Sequence, residues 1–192
     1  MNKERPILFS APMVRAILDG RKTCTRRPVT RLLGIGLIDQ VLNTMPGRYV
    51  VRRTGDEMFR CIDQGTLRCR CPYGRPGDRL WVREAFCPDW GDRVMYRADW
   101  PGSAKDAGCA REPRWRPSIH MPRALSRIDL RIADVRVEWL HDMREEDAIA
   151  EGVEDLAAFR ALWDELNGVG SWQRGSWVWA IEFERVGREV TP

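Results

Sequence analysis

The sequence predicts an α+β fold, a small curved β-barrel with a few helices packed outside it. Segments in which apolar and polar residues alternate outnumber those with helical periodicity. One helical segment comes early in the chain, and two more come late, before a last alternating segment. Within 126–140 the apolar residues change parity near Ala133-Asp134, as they do where a bulge lets a strand curve around a barrel.

The first helix is expected between Ser10, a common N-cap residue type, and Asp19. Three residues share its apolar face, Met13, Ala16 and Ile17. Gly20 stands where helices often end in a left-handed residue. Residues 31–70 show weak periodicity, and we interpret them as an insertion that contains a hairpin of "RYVVRR" and "MFRCI".

A strand is predicted in "RLWVRE", after the turn residues Pro76-Gly77-Asp78. Its alternation places Trp81 and Arg83 on one face and Glu84 on the other. "RVMYRAD" predicts another short strand, and the glycine- and proline-containing segment that follows predicts a loop. "SWVWAIEFERV" alternates throughout and predicts the last strand.

The two late helices are predicted from their caps and apolar stripes. In "HDMREEDAIAEGV", Asp142 is followed three residues later by Glu145, which resembles a capping box, and the helix is expected to end at Gly152. "DLAAFRALWDELNG" ends at Gly168. Its apolar stripe consists of Leu156, Phe159, Trp163 and Leu166.

Composition favours one cytoplasmic domain over residues 1–192. No apolar run is long enough for a membrane helix, and the N-terminus lacks a secretory pattern, so no membrane partner is expected. The six cysteines are therefore expected to be free thiols. Zinc ligation by Cys61, Cys69, Cys71 and Cys87 is the alternative, but Cys-x-Cys is not the usual zinc spacing. We expect no metal and no cofactor.

Basic residues suggest a phosphate-bearing partner. All but three of the 32 basic residues are arginine, and many are clustered, although the net charge is only +4. Guanidinium groups match phosphate oxygens, and nine tryptophans could stack on bases. The alternative is that arginine is simply the usual basic residue of this chain, neutralised by acidic neighbours.

The segment "DGRKTCTRRP" contains Lys22, one of only three lysines. A desolvated lysine crowded by guanidinium groups can lose its proton and serve as a base, whereas arginine stays charged. Thr25 follows three residues later and could meet Lys22 where the helix gives way to a strand, which would create an activated hydroxyl. The alternatives are a lysine that binds phosphate or is solvated, and a threonine that only favours a strand.

Four residues of this segment, Gly20, Lys22, Thr25 and Arg27, match the G-x-K-x-x-T-x-R signature of the ASCH domain family, whose barrel resembles the PUA-like RNA-binding fold. "CPYGRPGDRLWVRE", "RPSIHMPRALSRI" and "WVWAIEFERV" are similar to ASCH proteins of bacteriophages and prophages. The resemblance covers a core of about 5–30, 71–87 and 116–186. It leaves two loop insertions, at about 31–70 and 88–115.

The resemblance implies a cleft that binds RNA or a modified nucleoside, and DNA is the alternative ligand. One ASCH enzyme is an amidohydrolase that deacetylates N4-acetylcytidine with a lysine, a threonine and a glutamate, which implies Lys22, Thr25 and Glu151 here. In that scheme Lys22 activates Thr25 and Glu151 passes a proton to the leaving amine.

Nucleic-acid binding without catalysis requires fewer precisely placed groups than hydrolysis does. An accessory role in phage assembly, also without catalysis, is a further alternative. The candidate ligand-binding residues are Gly20, Arg26, Arg27, Trp81, Arg83, Glu84, Arg116 and His120.

Overall fold

The computed structural model describes residues 3–32, 36–45, 48–55, 59–91 and 93–187. The strands within these ranges are β1 (Glu4–Leu8), β2 (Cys24–Pro28), β3 (Arg31–Leu32), β4 (Gly36–Met45), β5 (Arg48–Arg53), β6 (Phe59–Asp63), β7 (Arg79–Arg83), β8 (Phe86–Trp90), β9 (Arg93–Tyr96), β10 (Asp129–Trp139) and β11 (Trp177–Val186). The α-helices are α1 (Ala11–Leu18), α2 (Gln64–Cys69), α3 (Glu145–Ala150), α4 (Leu156–Asn167) and α5 (Ser171–Arg174). The predicted α+β class is confirmed.

The main sheet has five strands in the order β1-β7-β10-β11-β2. β1 runs parallel to β7, and the other neighbours are antiparallel. The predicted irregularity in β10 is confirmed, because its register with β11 shifts between Ile132 and Asp134. Ile132 precedes the shift, and Val135 and Val137 follow it. Because of the shift, all three side chains lie in the same buried core.

The predicted closed barrel is not found among the described residues, where β1 and β2 are the two ends of an open sheet. Other elements cover its apolar face. Val14 and Ile17 of α1, which joins β1 to β2, lie in the same core as the sheet residues. The core is thus completed by packing an amphipathic helix onto the sheet rather than by pairing its two edges.

The first insertion, 31–70, is a second sheet rather than a loop, with the order β3-β4-β5-β6. The predicted hairpin is confirmed as β5 and β6. Alternation in these strands directs Tyr49, Val51 and Ile62 into the core of the main sheet. The second insertion, 88–115, holds the hairpin partner β9, which confirms that predicted strand, followed by a short 3₁₀ turn and irregular chain.

The three predicted helices, α1, α3 and α4, are confirmed except at one start, whereas α2 and α5 were not predicted. α1 ends at Asp19 and Gly20 has φ +76°, as expected. The prediction that Asp142 caps α3 is wrong, because residues Leu140–Asp142 form a 3₁₀ turn and the N-cap is Arg144. The side chain of Asp147 accepts a hydrogen bond from the Arg144 N–H instead.

α4 begins after Asp155, whose side chain accepts a hydrogen bond from the Ala158 N–H, and it ends before Gly168. Phe159 and Trp163 of its stripe are buried beneath the end of the main sheet, but Leu166 is 53% exposed. In the part of the chain that the structure describes, no helix has the length and apolarity needed to cross a bilayer.

Candidate functional site

The segment that carries Lys22 and Thr25 is a tight turn between α1 and β2. The N–H groups of Arg21 and Lys22 both donate to the Ala16 carbonyl, at 2.9 Å each. The positive φ of Gly20 allows this turn, since other residues rarely adopt that backbone conformation. The Thr23 N–H then donates to the Ala150 carbonyl at 2.8 Å, which fastens the turn to the end of α3. The turn therefore brings Lys22 against Glu151.

Lys22 is only 2% exposed, and its ammonium group is fully engaged. Nζ donates to the Cys24 carbonyl at 2.8 Å, to the Glu151 carbonyl at 2.8 Å and to Glu151 Oε2 at 2.6 Å. Three acceptors use all three protons of an ammonium, so Lys22 has no donor left for a ligand. The nearest charged group to Lys22 Nζ is thus the Glu151 carboxylate, whereas the sequence suggested crowding by guanidinium groups that would favour loss of its proton.

Arg26 extends this pair into a buried charge network. Its side chain is 0% exposed, and it donates to Glu138 Oε1 and Asp147 Oδ1, both at 2.7 Å. Its Nη1 lies 3.6 Å from Glu151 Oε1. Although burial opposes its charge, Cys24 and the surrounding carboxylates hold the pKa of Arg26 above its ordinary value. Arg26 therefore anchors β2 to β10 and α3.

Cys24 lies within the same network, and its thiol is unreactive. Burial, together with the nearby charge of Glu151, raises the pKa of Cys24 to about 12. Because the thiolate is the nucleophilic form, Cys24 is a protonated packing residue at neutral pH.

A cavity of about 140 Å³ opens beside this network. Met13 and Glu151 contribute to its wall. The remaining lining comes from β2, with Thr25, Arg26, Arg27 and Pro28, and from α4, with Phe159, Leu162, Trp163, Leu166 and Asn167. Thr25 is 2% exposed. The cavity thus joins a hydroxyl and a carboxylate to a largely apolar wall.

Three residues of the cavity wall carry buried polar atoms that have no hydrogen-bond partner within the described ranges. These atoms are Glu151 Oε1, Arg27 Nε and Trp163 Nε1. The first is an acceptor and the other two are donors. Buried polar groups are nearly always paired in native proteins, so unpaired atoms of both kinds are expected where a polar ligand completes the site.

The structure brings Lys22, Thr25 and Glu151 together as the sequence suggested, but not in one hydrogen-bonded chain. Glu151 contacts Lys22 directly, and Thr25 and Glu151 line the cavity, whereas Lys22 lies behind the wall. Arg27 also lines the cavity, where its Nη2 donates to the Leu8 carbonyl at 2.6 Å. Gly20 is exposed and serves the turn, not the cavity wall.

The other predicted ligand-binding residues lie elsewhere. Trp81 is 9% exposed, with the Arg83 guanidinium 4.6 Å from its ring centroid. Glu84 is buried and accepts two hydrogen bonds from Arg127, and its pKa is raised by burial. Arg116 and His120 are both exposed. None of these five lines the cavity beside Thr25.

α4 forms one wall of the cavity, and the sequence pattern did not indicate this role. Phe159 and Trp163 were assigned to its core stripe, and Leu162 and Asn167 were not singled out. Leu166, which the sequence pattern placed on the same stripe, is exposed next to the cavity. A cavity wall and a core wall have the same apolar pattern, so periodicity does not separate them.

No group of three or more histidine, cysteine or acidic side chains that could hold a metal ion occurs within the described residues. Of the cysteines considered for zinc, Cys61 is exposed, whereas Cys71 and Cys87 are buried. The side chain of Cys69 lies outside the described residues. Comparison of the chain with protein-family models, curated proteins and solved structures finds no match.

Proposed function

We propose that the protein binds a nucleobase, from RNA or from a modified nucleoside, in the cavity between β2 and α4. The observation that carries the proposal is the buried Oε1 of Glu151, a residue of the cavity wall. This oxygen accepts no hydrogen bond within the described residues, although Arg26 Nη1 lies 3.6 Å from it. An exocyclic amine, such as that of cytosine, would supply the missing donor, because carboxylates accept from this group in base recognition. Leaving such an oxygen unpaired costs free energy that a ligand would recover.

The size and lining of the cavity suit one small planar ring. A cavity of about 150 Å³ can hold benzene, and this one has about 140 Å³. Phe159, Leu162 and Trp163 offer apolar surface, while Thr25 and Glu151 offer a few polar groups. Ligand sites usually combine these two features. A pyrimidine therefore fits better than a purine.

The same arrangement supports an ASCH-like assignment, with a PUA-like fold. The four residues of the signature fall on one turn and the start of β2, where Gly20 shapes the backbone and Lys22 pairs with Glu151. Thr25 and Arg27 lie on the adjacent cavity wall. RNA is the preferred source of the base, and DNA is the alternative.

The test measures equilibrium binding of cytidine, N4-acetylcytidine and uridine by calorimetry. Cytidine is expected to bind at least about tenfold more tightly than uridine. Uridine has a carbonyl oxygen where cytidine has its exocyclic amine, and that oxygen would face Glu151 Oε1 without donating a hydrogen bond. Leu162→Trp fills the cavity and should abolish binding. Ile149→Trp is the control, because Ile149 is 55% exposed on α3 and does not line the cavity. Equal affinities for cytidine and uridine, or binding that survives Leu162→Trp, would refute the proposal.

A second candidate function is hydrolysis of an acylated exocyclic amine. It is favoured because Thr25 and Glu151 line the same cavity and Glu151 is paired with Lys22. Thr25 Oγ1 would lose its proton to the Lys22–Glu151 pair and attack the acyl carbon, the C–N bond would break, and Glu151 would pass that proton to the leaving amine. Water would then hydrolyse the acyl ester to release the acid. Lys22 holds Glu151 in place and would have to release one of its engaged protons to act as the base.

This candidate is tested by acetate release from N4-acetylcytidine. The native protein and Thr25→Ser should release acetate, and Thr25→Val, which has nearly the same shape, should not. Tight binding without acetate release would leave the binding function and exclude hydrolysis of this substrate.

A further inference from the structure

A second, larger cleft lies in the 88–115 insertion, with a volume of about 570 Å³. It is separate from the cavity beside Thr25, since the two share no lining residue. Its wall combines tryptophan rings, from Trp90 and Trp115, with the guanidinium groups of Arg111, Arg114 and Arg116. A volume in this range is sufficient for a nucleotide.

The tryptophans form a preassembled cluster. Trp100 is 6% exposed and lies between the other two, with ring centroids 5.7 Å from Trp90 and 5.9 Å from Trp115 in edge-to-face contacts. Trp90 and Trp115 are half-buried, so part of each ring remains accessible. Guanidinium groups lie over both, Arg111 at 5.6 Å from Trp90 and Arg97 at 5.0 Å from Trp115. Trp100 thus fixes two aromatic rings beside the cleft.

The cleft has more available positive charge than negative charge. Among the described residues no carboxylate pairs with Arg111 or Arg114, and Arg116 pairs only with Asp89, at 3.3 Å. That pair is weak, since the Arg116 and Asp89 side chains are 58% and 82% exposed. The other acidic residue of the wall, Glu112, already accepts from the Ala104 N–H. Arg111 and Arg114 can therefore bind phosphates directly, and Arg116 can do so by exchanging its exposed contact with Asp89.

The cleft is anchored by backbone bonds to β8 and by side-chain contacts to Glu84, which follows β7. Phe86 and Arg116 exchange two backbone hydrogen bonds, of 3.2 and 2.7 Å. Arg127 donates to both Glu84 and Asp99, which holds the 3₁₀ turn Arg97–Asp99 against the sheet. Glu84, expected from the sequence to contact a ligand, instead binds Arg127 and so helps to position the turn next to the cleft. Preorganised sites lose less entropy on binding.

We propose that this cleft binds single-stranded nucleic acid, with bases stacked on Trp90 or Trp115 and phosphates bound by Arg111, Arg114 and Arg116. Accessible aromatic rings next to guanidinium groups provide the two contacts that single strands require. The inference does not depend on the nucleobase cavity, because it concerns different residues and a longer ligand. The 88–115 insertion is then a second nucleic-acid site.

The experiment measures the affinity of a fluorescently labelled ten-nucleotide single-stranded RNA, and of the matching DNA, by anisotropy over a salt series. Arg114→Ala and Arg116→Ala should each lower the slope of log K against log salt by about 0.7, the effect of losing one phosphate contact. Trp115→Leu should weaken binding about tenfold or more, and Trp115→Phe much less.

Arg131→Ala is the matched control, because Arg131 is 57% exposed, also forms a single surface ion pair, and lies outside the cleft. It should leave the slope unchanged. Leu162→Trp, which blocks the nucleobase cavity, should retain oligonucleotide binding, and Arg116→Ala should retain cytidine binding, so the two proposals can fail separately. Equal slopes for Arg116→Ala, Arg114→Ala and Arg131→Ala would overturn the inference. Equally effective competition by poly-glutamate would also overturn it.

Discussion

Lys22 and Glu151 are buried charges that depend on each other. Their side chains are 0% and 3% exposed, and Nζ lies 2.6 Å from Oε2. Removing charged groups from water is expensive, and the cost is offset only when both partners are present and fully hydrogen-bonded. Lys22 meets this condition, whereas Oε1 of Glu151 does not. The pair therefore holds a carboxylate in place at the cavity wall.

This dependence predicts that Lys22→Met lowers the free energy of unfolding by about 3–5 kcal/mol, because it leaves Glu151 charged, buried and without its main partner. The double variant Lys22→Met/Glu151→Leu should recover much of that loss, since neither charge remains. Urea unfolding followed by circular dichroism measures both. A loss below about 1 kcal/mol in the single variant would mean that the pair behaves like a solvated surface contact.

The sequence singled out Lys22, Thr25 and Glu151, but not their arrangement. Lys22 and Glu151 are 129 positions apart, so no local spacing reports their contact. Arg26 belongs to a run of basic residues that resembles a solvated patch, yet its side chain is 0% exposed. Its burial depends on Glu138 and Asp147, which come from distant elements. The sequence therefore indicated which residues belong to the candidate site, but not which residues they contact.

At the scale of single elements, the end of α3 determines where Glu151 lies. Glu151 is the C-cap, and Gly152 follows it with φ +86°. A Cβ atom on Gly152 would lie 2.7 Å from Ala16 Cβ and 2.9 Å from Lys22 Cβ. A residue without a side chain is thus required both for the backbone conformation and for the close approach of α3 to α1.

Gly152→Ala should therefore destabilise the protein by more than the about 1–2 kcal/mol that a left-handed alanine costs by itself, because the clash also separates Lys22 from α3. Gly20→Ala is the control, since Gly20 has φ +76° and no atom near its missing Cβ. It should show the conformational cost alone. Thermal unfolding of both variants provides the comparison, and equal losses would show that the close approach has no energetic weight.

The elements themselves were predictable where a local pattern specifies them. Alternation identified β10 and β11, and the change of parity identified the shift between Ile132 and Asp134. The start of α3 was misplaced because Asp142 and Glu145 resemble a capping box, while the chain forms a 3₁₀ turn first. Barrel closure was predicted wrongly because alternation reports which face is buried, not which edges pair.

At the scale of the whole molecule, the charge network connects three parts of the fold. Arg26 lies on β2, Glu138 on β10 and Asp147 on α3, and both carboxylates accept from the same guanidinium. Asp147 also accepts from the Arg144 N–H at the start of α3. One ionised group thus caps a helix and fastens that helix to the edge of the main sheet, next to the cavity.

The network therefore makes stability depend on acid pH. Burial by itself would raise the pKa of Asp147, but the Arg144 N–H and the charge of Arg26 outweigh it and hold that pKa below its ordinary value. A folded pKa below the unfolded value means that ionised Asp147 stabilises the fold above about pH 4. This contribution is lost as the pH falls from there through the folded pKa.

Asp147→Asn should consequently flatten the fall in unfolding free energy below about pH 4, measured by urea unfolding at successive pH values. Glu146→Gln is the control for a change of charge on α3, since Glu146 is exposed and outside the network. Its curve should stay close to that of the native protein. Curves of equal steepness for Asp147→Asn and the native chain would show that Arg26 gains nothing from this carboxylate. In that case Glu138 and Glu151 alone would balance the buried guanidinium, and α3 would be held at the cavity by packing rather than by charge.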